Sequence, residues 1–305
     1  MLQLFKTPNF KFVLKRYYAF AFSGLLTIIT IVSIIAHKGL RYGVDFKGGT
    51  LMEINFQSPI GTEVIRNAFV RLGVGNASIQ KIGEGSSFIV RFESQGMSES
   101  AESTSARVIQ GLDNEIPNNQ AQLVRIEMVG PRIGKELQKN AMLSVVIGLI
   151  LILFYVTIRF DFRFGTAACI ALAHDVFTTI GFISITGIEV SIPIIAAILT
   201  LIGYSVNNSI VISDRVRENR KKTSKEGLME IINHSLNQTL SRTILTSFTV
   251  FMVAMTMLLL GAASIKDFAK VISFGVVIGT YSAIFIGAPV VAEWEKRFPS
   301  RRRIR

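Results

Sequence analysis

Apolar residues in this chain gather into six long runs, one near the start and five after an interval of about 100 mixed residues. The runs are Tyr17–Ala36, Ala141–Arg159, Gly165–Thr186, Val190–Ser213, Ile244–Ala262 and Lys270–Ala292. A helix needs about 20 consecutive, mostly apolar residues to cross the hydrocarbon core of a bilayer. Each run is close to that length or longer, so the pattern predicts six transmembrane helices, numbered here one to six. A cleaved leader is a competing reading of the first run. Its apolar core exceeds the usual length of about 7–15 residues, and Ile35–Ala36–His37–Lys38 offers no small-x-small cleavage site. An uncleaved anchor is expected.

The interval between the first and second runs changes period. Thr50–Phe56 alternates as a strand does, with Met52, Ile54 and Phe56 on one side and Leu51, Glu53 and Asn55 on the other. Thr62–Leu72 repeats Val64, Ile65, Ala68, Phe69 and Leu72 at helical spacing, and Gly73 closes it. Ala77–Ile82 and Ser87–Glu93 read as strands around a Gly83–Glu84–Gly85 turn, Ser100–Ile116 as a helix with a sparser apolar face, and Gln120–Val129 as a last strand. Strand, helix, strand, strand, helix, strand is the order of a split βαβ, ferredoxin-like α+β domain. The predicted division is a terminal segment 1–16, a span 17–36, an inserted domain 37–139, spans two to six within 140–292, and a basic tail 293–305.

Charge fixes the expected orientation. The formal net charge is +12, which by itself suggests nucleic acid, yet residues 37–139 carry 12 Lys and Arg against 11 Asp and Glu. The excess sits in short flanks: Lys6, Lys11, Lys15 and Arg16; Arg159 and Arg163; Arg215 to Lys225; and Lys296 to Arg305. A nucleic-acid stripe belongs on a soluble domain with aromatic platforms beside it, so no nucleic-acid partner is expected. Basic flanks of apolar runs mark cytoplasmic loops. With six spans, every cluster falls on one side; both termini are then cytoplasmic and the inserted domain is outside. Cys169 is the only cysteine, so no intrachain disulfide forms.

Polar groups at bilayer depth need partners or cost several kcal/mol, and they mark functional sites by default. The fourth run carries Ile202–Gly203–Tyr204–Ser205–Val206–Asn207–Asn208–Ser209, with Asp214–Arg215–Val216–Arg217–Glu218–Asn219 just beyond. Asn and Ser also simply join helices. The third run holds His174 and Asp175, the one carboxylate well inside any run. They leave a helix about 100° apart, so they are not expected to share a ligand. Their readings are interhelical hydrogen bonds or a proton pathway. Arg242 opens the fifth run, where it either snorkels or turns inward. Asp45, Gly48 and Gly49 precede the first strand. Paired glycines permit positive φ, so the pair makes either a tight turn or a hinge between helix one and the inserted domain, and the hinge is the expectation. No phosphate loop, His-Glu-x-x-His motif, cysteine pair, paired intramembrane carboxylates or Gly-x-Ser-x-Gly run is present. The expectation is therefore a non-enzymatic protein without metal or cofactor.

Six motifs in order carry a resemblance: Asp45–Phe46–x–Gly48–Gly49–Thr50, Val129–Gly130–Pro131, Ala171–Leu172–Ala173–His174–Asp175, Ile202–Gly203–Tyr204–Ser205, Ser213–Asp214–Arg215–Val216–Arg217–Glu218–Asn219 and Ser241–Arg242–Thr243. The chain resembles the SecF family of the bacterial protein-export machinery, from helix one to Glu293. The resemblance implies an RND-superfamily half completed by SecD, with SecYEG, YajC and unfolded exported chains as partners. It implies an inner-membrane, multi-pass location, a periplasmic inserted domain and use of the proton-motive force. One departure stands out. Asn208 occupies the position of the family's proton-carrying carboxylate and cannot ionise, while the arginine associated with that carboxylate matches Arg242. The expectation for the site is that Arg242, Tyr204, Asn207 and Asn208 shape the path while a carboxylate elsewhere carries the proton; Arg242 either finds another anion, Asp175 or a SecD carboxylate, or stays hydrated from the cytoplasm. A scaffold subunit without its own proton carrier, and half of an RND-type small-molecule or lipid exporter, are the rival readings.

Overall fold

The computed structural model describes residues 8–74, 77–82, 85–92, 100–160, 162–222 and 227–299. The Gly83–Glu84 part of the expected turn, residues 1–7 and the tail from 300 lie outside the described residues. In chain order the elements are α1 (Arg16–Ala36), a short α2 (Val44–Lys47), β1 (Gly49–Phe56), α3 (Thr62–Arg71), β2 (Ser78–Ile82), β3 (Ser87–Phe92), α4 (Ala101–Glu115), β4 (Ala121–Val129), α5 (Pro131–Arg159), α6 (Phe162–Thr186), α7 (Ile192–Lys222), α8 (Leu228–Leu260), α9 (Ala263–Ser282) and α10 (Ala288–Arg297). A π-helical turn, Ala283–Gly287, joins α9 to α10. Among the described residues six helical stretches are long and apolar enough to cross a membrane. The chain divides into two compact units, Tyr42–Leu143 with Glu189–Ile192, and the remainder.

The smaller unit follows from the strand period. On β1, Met52, Ile54 and Phe56 are at most 1% exposed, the face the alternation selects. They pack on Ile65 and Phe69 of α3 and Leu112 of α4. All ladders are antiparallel and the sheet order is β2-β3-β1-β4. This order separates β1 from β2 by one strand, as a split βαβ unit requires. Ser100 caps α4 by accepting from the Ser103 N–H, which satisfies one of the helix's orphan donors.

The glycine pair lies inside this unit. Gly48 (φ 79°) and Gly49 (φ 140°) both take conformations that side chains resist. Both are buried, Gly48 N–H donates to Val44 O at 2.9 Å, and Gly49 pairs with Val129 in the sheet. A β-carbon on Gly134 of α5 would sit 2.8 Å from Phe46 O and 3.0 Å from Gly48 N. The pair thus sits in a buried turn at the start of β1, and flexing there means breaking ladder bonds and close backbone packing. Asp45 of the same motif accepts from the Ile192 N–H at 2.8 Å, which caps the start of α7.

The helices of the larger unit outrun the apolar pattern. α8 begins at Leu228, not Ile244, because residues 228–243 form an amphipathic face. Ile231, Ile232, Leu236 and Leu240 are buried with Phe12, Val13, Ile212, Val216 and Val291. Its polar side clamps the N-terminal segment: Asn237 Nδ2 donates to Phe10 O at 2.9 Å, Phe10 N–H donates to Asn237 Oδ1 at 2.8 Å, and Val13 N–H donates to Asn233 Oδ1. The charged run after the fourth apolar stretch works the same way. Asn219 Nδ2 donates to Ser235 Oγ at 2.8 Å and Gln238 Oε1 at 2.9 Å, tying the end of α7 to α8. Small residues bring α1 against α6, where Gly181 faces Thr30 and Ser33 hydrogen-bonds Ser184 at 2.8 Å. This is the close approach expected where helices associate without a hydrophobic driving force.

Candidate functional site

Asp175 is the only buried carboxylate among the described residues, at 5% exposure. α6 places it against α7 and α9. Its Oδ2 accepts from Ser205 Oγ at 2.5 Å and from Ser282 Oγ at 2.7 Å. Gly279 of α9 makes this possible: a β-carbon there would lie 3.3 Å from Ser205 Cβ and 3.6 Å from Asp175 Oδ2. His174 leaves the helix in another direction, yet its Nδ1 comes within 3.3 Å of Asp175 Oδ1. The two adjacent side chains thus touch each other despite leaving the helix about 100° apart. The His174 ring lies 6.3 Å from that of Tyr281, whose hydroxyl donates to Ala19 O of α1 at 2.8 Å. A cavity of about 10 Å³ borders Asp175, Thr179 and Ser205, close to the volume that one water needs.

Hydroxyls suit a carboxylate that changes charge. A serine O–H donates to the ionised form, and its oxygen accepts from the protonated form.

The residue before Ser205 on α7 belongs to a second polar chain. Tyr204 Oη donates to Ser247 Oγ of α8 at 2.6 Å, and Ser247 also accepts from Thr280 Oγ1 of α9 at 2.6 Å. Most hydroxyls in these helices instead bond their own backbone one turn back. Thr179 donates to Asp175 O, Thr200 to Ala196 O, Ser213 to Ser209 O, Ser235 to Ile231 O and Ser247 to Thr243 O.

One turn beyond Tyr204, Asn208 is 2% exposed, and its Nδ2 has no hydrogen-bond partner among the described residues. Ser209 Oγ and Thr243 Oγ1 are likewise buried and unpaired. Asn207 is exposed. Arg242 lies well inside α8, not at its start, and is exposed. Its guanidinium forms no ion pair or hydrogen bond among the described residues. Of the alternatives for Arg242, pairing with Asp175 does not occur: the carboxylate's partners are two serines and a histidine. The structure thus gathers Asp175, His174, Ser205 and Ser282 into one cluster, puts Tyr204 in the neighbouring chain, and leaves Asn207 and Arg242 on the surface of this chain. Ser282 was missed in the sequence. Its signal, one serine after Tyr281 in an apolar run, is weak. No group of three metal-ligating side chains occurs among the described residues.

Comparison with known proteins agrees with the motifs. The family described as protein export membrane protein SecD/SecF, C-terminal, matches residues 111–297, and the SecD/SecF GG motif matches residues 33–60. The chain is similar to the protein translocase subunit SecF of Gemmatimonas aurantiaca, 39% identical over 98% of this chain and 91% of that protein. The SecF of Endomicrobium trichonymphae is 34% identical over 99% of this chain and 97% of its own. Among solved structures, SecDF of Thermus thermophilus, described as a translocon-associated membrane protein, matches with a TM-score of 0.85 at 36% identity. That match covers 96% of this chain and 40% of the longer SecDF chain. SecDF in a super-membrane-facing form matches with a TM-score of 0.71 at 37% identity, covering 97% of this chain and 40% of that one. With its family match, its SecF relatives along nearly the whole length and its six membrane-spanning helices, the chain belongs to the SecF family of protein translocase subunits.

Proposed function

We propose that this chain pairs with a SecD-type half and uses the proton-motive force to help draw exported polypeptides from the SecY channel, and that Asp175 is its protonatable group. The observation that carries this reading is the Asp175 cluster: a buried carboxylate between three helices, held by hydroxyls that serve either charge state. Asn208, at the family's usual proton-carrying position, has no ionisable group. The exposed, unpaired guanidinium of Arg242 supports a counter-anion supplied by the partner half. In this reading the chain is a multi-pass protein of the bacterial inner membrane, and SecYEG and YajC are its further partners.

The test is export of a secretory precursor into membrane vesicles carrying this chain and its SecD partner, with and without an imposed proton gradient. Asp175→Asn is expected to reduce export to the level seen without a gradient, and Asp175→Glu to keep part of the response. Arg242→Ala is expected to weaken it, and Asn208→Asp to preserve or raise it. A full gradient response in both Asp175→Asn and Arg242→Ala leaves this chain a scaffold, the second reading that Asn208 favours.

Orientation is tested separately. The basic flanks support cytoplasmic termini and a periplasmic smaller unit in this reading. In a Cys169→Ala background, Ser58→Cys is expected to react with an impermeant thiol reagent in intact spheroplasts. Lys222→Cys is expected to react only after permeabilisation. The reverse pattern overturns the orientation.

A further inference from the structure

Where α5 ends and α7 leaves its apolar stretch, a cavity of about 230 Å³ opens beside Arg159, Arg217 and Arg220. It lies apart from the Asp175 cluster, and nothing in the proton reading uses it. Arg217 is exposed and makes no ion pair or hydrogen bond among the described residues. Arg159 stands 3.6 Å from Asp214, with both side chains about half exposed at 46% and 48%. That distance is beyond a good hydrogen bond, and such exposed pairs contribute little, so its guanidinium donors remain available. Arginine forks match the geometry of phosphate oxygens.

The other wall is apolar. Phe160 and Phe164 line the cavity, and the Arg159 guanidinium lies 5.3 Å from the Phe160 ring centroid. From the rim at Ile158 a stripe of exposed apolar side chains runs along α5 through Phe154 and Leu151, spaced by four and three residues. That spacing is one helix face, and it leads from the arginines towards the apolar middle of the span. A phosphate with an acyl chain attached fits both halves of this surface, whereas a free phosphate uses only one.

The geometry points to a binding site for an anionic phospholipid, its headgroup phosphate held by Arg159 and Arg217 and its acyl chain lying along the Ile158–Phe154–Leu151 stripe. Basic pockets between membrane helices favour such headgroups, by about fivefold in affinity for each arginine near the surface. Bound there, the lipid fastens the end of α5 to the end of α7.

The full chain, purified in detergent, is titrated with phosphatidylglycerol or phosphatidylcholine of matched acyl chains and examined by native mass spectrometry. Phosphatidylglycerol is expected to be retained in preference to phosphatidylcholine. Arg217→Gln is expected to weaken its retention about fivefold, and Arg159→Gln with Arg217→Gln about thirtyfold. Lys222→Gln removes the same charge outside the cavity and is expected to leave retention unchanged. Arg217 makes no ion pair or hydrogen bond among the described residues, so its variant is expected to melt as the parent does in phosphatidylcholine micelles. Equal retention of the two lipids overturns the proposal. So does a loss in Lys222→Gln equal to that in Arg217→Gln, which would reflect surface charge alone. Displacement of phosphatidylglycerol by equimolar inorganic phosphate also overturns it, since the ligand is then the phosphate and not the lipid.

Discussion

Alanine at Phe69 is expected to cost the smaller unit about 3–5 kcal/mol, the usual penalty for emptying a fully buried aromatic site. Phe69 is completely buried on α3, its ring 6.0 Å from that of Phe92 on β3, beside Ile65 and Leu112. A unit of this size holds a net stability of only about 5–15 kcal/mol, so most of its margin disappears. Hydrogen exchange on the full chain in detergent measures this directly: amides of β1 and β3 are expected to lose protection while those of α6 keep theirs. Val70→Ala, next along the helix at 53% exposure, is expected to leave β1 protection within error. Unchanged protection in Phe69→Ala shows that α3 does not hold the sheet.

The second large effect is expected at Gly181. Its missing side chain is the space that Thr30 of α1 fills, and a β-carbon would overlap the threonine. Thr30 is 2% exposed and cannot swing into an open gap. Gly181→Val is expected to force α1 from α6 at a cost of about 1–3 kcal/mol or more, lengthening the Ser33–Ser184 hydrogen bond nearby. Thermal unfolding of the full chain in detergent reads the cost. The informative comparison is the pair Gly181→Ala with Thr30→Ala: contact residues couple, so the double variant is expected to melt above Gly181→Ala alone. Additive losses remove the argument that these two positions share one space.

Period carried the reading of the sequence furthest where one face of an element is buried and the other is wet. β1 is such a case, and its buried residues are those that the alternation selects. The apolar runs located the membrane helices but not their ends. Residues 228–243 of α8 mix Asn, His, Gln and Arg with leucine and isoleucine, so they look like a loop to a search for continuous apolarity. Their partner is the distant segment at Phe10–Val13, which local pattern does not reveal. The same limit applies to the site. Asp175 was legible because a lone carboxylate at depth is conspicuous. Ser282 was not, because one serine in an apolar helix carries no sign of which neighbour it faces. Arg242 was misplaced for the reason α8 was: its helix began earlier than its hydrophobicity did. Asn208 was legible as a departure from the family motif, but the absence of a partner for its amide emerges only from the packing around it.

The hydroxyls bonded to their own helices have a mechanical consequence. Thr179, Thr200, Ser213, Ser235 and Ser247 each keep their hydrogen bond when their helix translates, because donor and acceptor travel together. Axial slip of α7 or α8 leaves these hydroxyls paired, while the bonds that cross between helices, such as Tyr204–Ser247 and Asn219–Ser235, must break. The Asp175 oxygen is different, since its donors ride on two other helices. That oxygen is a catch: slip of α7 or α9 past α6 breaks one of its two hydrogen bonds and leaves a buried polar group without its partner.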